Sequence, residues 1–240
     1  MKLGTAVQIA LGVADLRTSL EFYDGLGFEK LATGTQPYPW AQLTDGQNLL
    51  LLNQDGNAPY QGLLYFNADA PAALAALEEA GAAVLARREQ DGRLFQVILA
   101  DPHGYQFGLV NRAPDGLPRP GGQPISRCGK FGEYALGVGS YENGRAFWTQ
   151  FGFDVLHQSA EPYPWGILGD GLVVLGLHQT ADFTGPNLTY FAPDMPARIA
   201  AIRKAGVPIT QEMPDEQGAV ANAILNGPDD EVIFLFQGEI

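Results

Sequence analysis

A single cysteine, Cys128, stands in 240 residues, which excludes an internal disulfide framework and any cysteine-rich metal knot. Histidine is almost as scarce, at three. Basic residues number 14 against 27 acidic ones, a formal net charge of −13, and such a balance repels nucleic-acid phosphates and anionic lipid. No stretch reaches the roughly 18 apolar residues of a membrane span, and MKLGTAVQIA carries no long apolar core behind a basic start. No P-loop, no GxGxxG behind a strand and no ordered Ser-His-Asp set occurs. The expectation is a cytoplasmic monomer or homodimer with a small-molecule ligand and no nucleic-acid or membrane partner. Hydrophobic residues, at 46%, suffice for two cores of about 100–150 residues.

What the chain does have is a repeat. QPYPWAQLTDG, with Tyr38, Pro39, Trp40, Asp45 and Gly46, returns 125 positions later as EPYPWGILGDG, with Tyr163, Pro164, Trp165, Asp170 and Gly171. The same offset carries Gly12-Val13 onto Gly137-Val138, Tyr65-Phe66 onto Tyr190-Phe191 and Ala80-Gly81 onto Ala205-Gly206. A match held over most of the half-length signals a duplicated domain. Residues 113–130, APDGLPRPGGQPISRCGK, are rich in proline and glycine and read as an extended connection in which Cys128 is a bystander thiol. The expected division is domain one at 1–112, linker at 113–130 and domain two at 131–240.

Within the first copy, Gln8 to Val13 is a short apolar strand, and Asp15 stands at the N-cap of a helix whose Leu16, Leu20 and Tyr23 share one face. Strands follow at 29–33, 40–43 and 48–53, the last two joined at the Asp45-Gly46 turn. The pattern then begins again, with a strand at 63–68, a helix opening near Pro71 and closing before Gly81, and strands at 83–88, 94–100 and 105–111. Each copy therefore holds two βαβββ modules.

QIALGVADLRTSLEFYDGLGF and ADPHGYQFGLV in the first copy, with EYALGVGSYENGRAFWTQFGF and NGPDDEVIFLF in the second, resemble the vicinal oxygen chelate superfamily of glyoxalases, bleomycin-resistance proteins and extradiol dioxygenases. The resemblance covers nearly the whole chain outside the linker. It implies an α+β fold of two tandem domains, each closing two βαβββ modules into an incomplete barrel.

Metal-dependent members of that superfamily place His, Gln or Glu on the first and last strand of each module. By the resemblance those positions here read Gln8, approximately Leu50, Leu63 and Gly108, then Glu133, approximately Leu175, Leu188 and Phe234. Each set offers at most one ligand, too few for a firmly held divalent ion, so no metal and no cofactor are expected. Strand alternation then lines the first cavity with Gln8, Ala10, Gly12, Leu63, Tyr65, Asn67, Gln106 and Gly108. The second receives Glu133, Ala135, Gly137, Leu188, Tyr190, Val232, Phe234 and Phe236, although the two phenylalanines can equally fill the barrel. Gly108 is read as leaving the first cavity open. Trp40 and Trp165 can stack on a ligand or seal the barrel rim, and packing is the preferred role of Trp165. His103 is expected at the surface, and His178, in the place of Asn53, as a ligand contact or a structural residue.

Two functions follow. The first is a metal-free binder, resembling bleomycin-resistance-type sequestering proteins, of an apolar or aromatic molecule that can be cationic, held by Gln8, Trp40, Tyr65, Gln106, Gly108, Glu133, Tyr190 and His178. The second is a metal-independent isomerase or lyase with Glu133 as general acid/base. Whether the protein is an enzyme is left open between them.

Overall fold

The computed structural model describes residues 1–240. The first copy contains β1 (Ala6–Gly12), α1 (Leu16–Gly25), β2 (Glu29–Gly34), β3 (Trp40–Thr44) and β4 (Leu49–Asn53), then β5 (Tyr60–Phe66), α2 (Ala70–Glu79), β6 (Ala83–Gln90), β7 (Arg93–Ala100) and β8 (Gln106–Val110). The second contains β9 (Lys130–Gly137), α3 (Tyr141–Gln150), β10 (Asp154–Ser159), β11 (Trp165–Gly169) and β12 (Val174–His178), then β13 (Asn187–Ala192), α4 (Met195–Lys204), β14 (Gln211–Pro214), β15 (Val220–Asn226) and β16 (Val232–Gln237). The fold is α+β, with two open eight-stranded mixed sheets in the orders β2-β3-β4-β1-β5-β8-β7-β6 and β10-β11-β12-β9-β13-β16-β15-β14.

Local chemistry explains the helix ends. The Asp15 carboxylate accepts from the Thr18 amide at 2.7 Å, and Ser140, its counterpart 125 positions on, accepts from Asn143 at 3.3 Å. Each satisfies one of the donors a helix start leaves unpaired. α2 opens with Pro71, where no amide is needed, and gives way after Ala80 to Gly81 at φ +92°.

Contact density divides the chain into two compact units, each combining a module from either copy. One comprises 1–8, 62–117 and 134–186, the other 9–61, 118–133 and 187–240. In the first unit, Phe107 of β8 meets the rings of Phe147 and Trp148 of α3 at centroid distances of 6.2 and 5.3 Å. In the second, Tyr23 of α1 packs edge-on against Phe28 at 5.1 Å, and Phe131 against Tyr190 at 5.4 Å. Residues 118–133 belong to this second unit and are tied down by backbone bonds from Gly122 to Gly46, Ile125 to Asp45 and Arg127 to Leu26, each 2.8 Å. Cys128 is fully buried there, which pushes its thiol up to about 12.

Each unit contains the same buried pair. The Tyr65 hydroxyl donates to Asp170 Oδ2 at 3.1 Å in the first, and the Tyr190 hydroxyl to Asp45 Oδ2 at 2.8 Å in the second. The other oxygen of each carboxylate serves its own turn. Asp170 Oδ1 accepts from the Leu172 and Val173 amides, and Asp45 Oδ1 from those of Gln47 and Asn48. The duplicated Asp-Gly thus shapes a hairpin and holds a tyrosine of the other copy.

We expect Tyr65→Phe and Tyr190→Phe each to cost about 1–3 kcal/mol, the penalty for leaving a buried acceptor short of a partner, measured by urea unfolding. A cost near zero for both would remove the pairs from the stability of the fold. A pH effect follows from Glu231, whose carboxyl burial raises above its ordinary value although the Asp229 amide and the Tyr23 hydroxyl bond to it. A carboxyl raised in the folded state contributes stability below its unfolded value and loses it as pH climbs through the folded one. The stability of Glu231→Gln relative to the parent should therefore be higher at pH 8 than at pH 4, by thermal melts at both. A flat difference contradicts the assignment.

Candidate functional site

The strand registers decide which side chains share a face. In the parallel pair β5–β8, Leu63 is level with Phe107, Leu64 with Gly108 and Tyr65 with Leu109, and level residues project to the same side. Leu63 and Tyr65 therefore lie on the side of Phe107, which packs on α3, and Gly108 lies on the other. In β13–β16, Leu188 is level with Ile233 and Tyr190 with Leu235, whereas Phe234 is level with Thr189. The expectation that Tyr65 shares a cavity with Gly108, and Tyr190 and Leu188 one with Phe234, is corrected by one residue of phase. Such a slip inverts a whole strand. Both tyrosines are fully buried and committed to Asp170 and Asp45. Leu50 and Leu175 are likewise level with Ile9 and Tyr134, so the positions matching Ala10 and Ala135 are Leu51 and Gly176.

Gly108 does not leave open space. A Cβ there would lie 2.9 Å from Ile98 Cδ1 and from the Val97 carbonyl oxygen, and 3.1 Å from Leu64 Cδ1. Gln106 is exposed at the start of β8, and Gln8 and Glu133 are buried at 4% and 8% exposure. His103, expected at the surface, is half-buried, its Nε2 sitting 3.4 Å from where a Cβ on Gly144 would stand. Phe234 and Phe236 stack on each other at 5.7 Å, with Phe191 5.8 Å from Phe236.

The twin Tyr-Pro-Trp segments have diverged in their surroundings. Trp40 donates from Nε1 to the Gln36 carbonyl at 3.2 Å, and its ring occupies the place a side chain on Gly34 would take. Tyr60 lies over Gly12, where no Cβ would fit, and its hydroxyl accepts from Asn53 Nδ2 at 3.1 Å and donates to Asp55 Oδ2 at 3.0 Å. Burial pushes the Tyr60 phenol above its ordinary range, and the nearby Asp55 carboxylate adds to it. That arrangement is closed by its own hydrogen bonds.

The corresponding part of the second copy, in the first unit, is a group of rings. Trp165 of β11 and His178 of β12 are directly opposite, their planes within 11° and their centroids 6.0 Å apart. His157 lies 5.1 Å from Trp165 on its other side, and Tyr163 and Phe183 lie 6.2 and 5.6 Å from His178. The Trp165 Nε1 is satisfied by the Glu161 carbonyl at 3.0 Å, so the ring is fixed in orientation while remaining half-exposed. Of the residues expected to bind a ligand, only His178 belongs to this group. Tyr163, noted only as part of the repeat, and Phe183 are not read as site residues from the sequence because each sits in an irregular segment with no strand period, although the recurrent glycines Gly12 and Gly137 mark where Tyr60 and Phe183 cover the strand.

Residues 8–110 match the profile of the Glyoxalase-like domain. All of the chain superposes on homoprotocatechuate 2,3-dioxygenase from Arthrobacter globiformis with a TM-score of 0.65 at 17% identity, spanning 81% of that chain. A variant of the Brevibacterium fuscum homoprotocatechuate 2,3-dioxygenase gives 0.65 at 16% identity over 99% of this chain and 72% of the other. A catechol 2,3-dioxygenase gives 0.57 at 16% over 100% and 89%. No curated protein sequence matches. The chain shares the fold of these dioxygenases, in two tandem halves.

The resemblance of the sequence to metal-dependent proteins implies a divalent metal, and the donors here do not fit one. No three His, Cys, Asp or Glu side chains converge anywhere in the 240 residues, and of the positions to which the resemblance assigns ligands only Gln8 and Glu133 carry a donor side chain. No helix is long and apolar enough to cross a membrane.

Gly108→Ala should cost about 1–3 kcal/mol by overpacking against Ile98 and the Val97 carbonyl, with Gly108→Glu worse and gaining no thermal stabilisation from added Mn²⁺ or Zn²⁺. A neutral Gly108→Ala would show that the space is open after all.

Proposed function

We propose that the protein binds a small flat molecule, apolar or aromatic and cationic forms included, against the rings of β11 and β12, and that it does so without a metal in the manner of bleomycin-resistance-like binders. The observation that carries this reading is the Trp165–His178 stack, bordered by Tyr163, His157 and Phe183. Half-exposed rings held in fixed orientation lose little freedom on meeting a flat ligand, and each stacking or cation–π contact contributes about 0.5–2 kcal/mol. The formal charge of −13 favours a cation over an anion of the same shape. Residence in the cytoplasm as a monomer or homodimer is part of the same proposal.

A second reading has Glu133 as the general acid/base of a metal-independent isomerase or lyase, and its burial at 8% exposure is what favours it. Any turnover found would be lost in Glu133→Gln under that reading and kept under the first.

Titrating N-methylquinolinium, naphthalene and naphthalenesulfonate while following tryptophan fluorescence tests the binding reading. Saturable quenching is expected, tightest for the cation. His178→Asn, which installs the residue the first copy has there, should weaken it about five- to tenfold. No saturable response from any of the three probes would defeat the proposal.

A further inference from the structure

We infer that Tyr105, which the first copy contributes to the first unit, is a positioning residue for the ring site of the second copy, an inference that rests on the binding reading above. Its hydroxyl donates to the Gly137 carbonyl at 2.5 Å and accepts from the Gly185 amide at 3.2 Å. Gly137 closes β9 level with His178 of β12. Gly185 follows Phe183 by two residues, and the Phe183 carbonyl sits where a Cβ on Gly137 would stand. One phenol thus joins the strand beside His178 to the loop that sets Phe183 5.6 Å from the His178 ring.

Comparison of the copies shows how the tie differs between them. The first copy ties the corresponding loop to itself through Asn53, Asp55 and Tyr60. At the matching positions, 125 residues on, the second copy has His178, Thr180 and Gly185, so neither the phenol nor the carboxylate of that tie exists there. Tyr105 fills the role from another segment. The turn that aims it is rigid: Asp101 Oδ1 accepts from the His103 and Tyr105 amides at 2.8 and 2.9 Å, the Asp101 amide donates to the Tyr105 carbonyl at 2.9 Å, and Gly104 takes φ +90°. A residue that holds a loop in its bound form lowers the ordering cost of binding without touching the ligand.

The test compares Tyr105→Phe with the full-length parent, using N-methylquinolinium as probe and amide hydrogen exchange at Gly185 as a second readout. The clamp predicts about tenfold weaker binding and at least tenfold faster exchange at Gly185. Tyr23→Phe, which removes a buried hydroxyl in the second unit, should leave both within twofold. Asp101→Asn, which loosens the turn and keeps the phenol, should shift both in the same direction as Tyr105→Phe by a smaller factor, and it serves as the test if Tyr105→Phe does not fold. Unchanged Gly185 exchange in the variants overturns the clamp whatever the parent binds. Equal probe affinity in parent and variants overturns it as a determinant of binding. A parent that binds no probe but shows accelerated Gly185 exchange in Tyr105→Phe defeats the binding reading while leaving the tether as a structural fact.

Discussion

A carboxylate taken out of water costs several kcal/mol unless hydrogen bonds replace its hydration. Asp45 and Asp170 are both buried, and their oxygens are supplied by local amides on one side and by a tyrosine on the other. The tyrosine in each case is contributed by the other copy. The tyrosine completes the hydrogen-bond shell of the turn's carboxylate, and the turn gives the buried hydroxyl its acceptor. Each compact unit is consequently a joint product of both copies, whereas each sheet is built from one copy alone. A duplicated chain that pairs its modules in this way has reason to preserve the Asp-Gly and the Tyr in both halves, because losing either strands a polar group in a core.

The same substitution logic runs through the closing turns. In the second unit, the Glu231 carboxylate fills the space beside Gly227 and accepts from Tyr23 of α1. In the first, Asp101 stands where Gly227 would be by the closing offset, and the residue matching Glu231 is Tyr105. A buried carboxylate is kept in each turn but supplied from a different position, which frees Tyr105 to reach Gly137 and Gly185.

Much of this architecture was legible in the sequence because it is locally determined. The Asp15 cap, the Pro71 start, the glycine after α2 and the Asp45-Gly46 hairpin each depend on a few neighbouring residues, and all stand where the pattern put them. The strand faces were not legible in the same way. Leu63, Leu64, Tyr65 and Phe66 are all buried, so no alternation of polar and apolar residues reports which face points where. The register with β8, set by hydrogen bonds over forty positions away, decides it. A tyrosine in such a run reads as a cavity residue until its carboxylate partner, more than a hundred residues distant, is known.

The candidate site shows how duplication and divergence combine. Both copies place a tryptophan at the start of a strand with its indole donating to a carbonyl four residues earlier. The packing that fixes the ring is therefore inherited and says nothing about function. What differs is the residue across the strand pair. Asn53 opposite Trp40 engages the Tyr60 phenol and closes that place with polar bonds. His178 opposite Trp165 presents a ring parallel to the indole instead, and Gly185 stands where the first copy has the Tyr60 phenol. One polar network exchanged for a stacked pair is what distinguishes the two patches, and the difference comes from the residue across the strand pair, not from the shared fold.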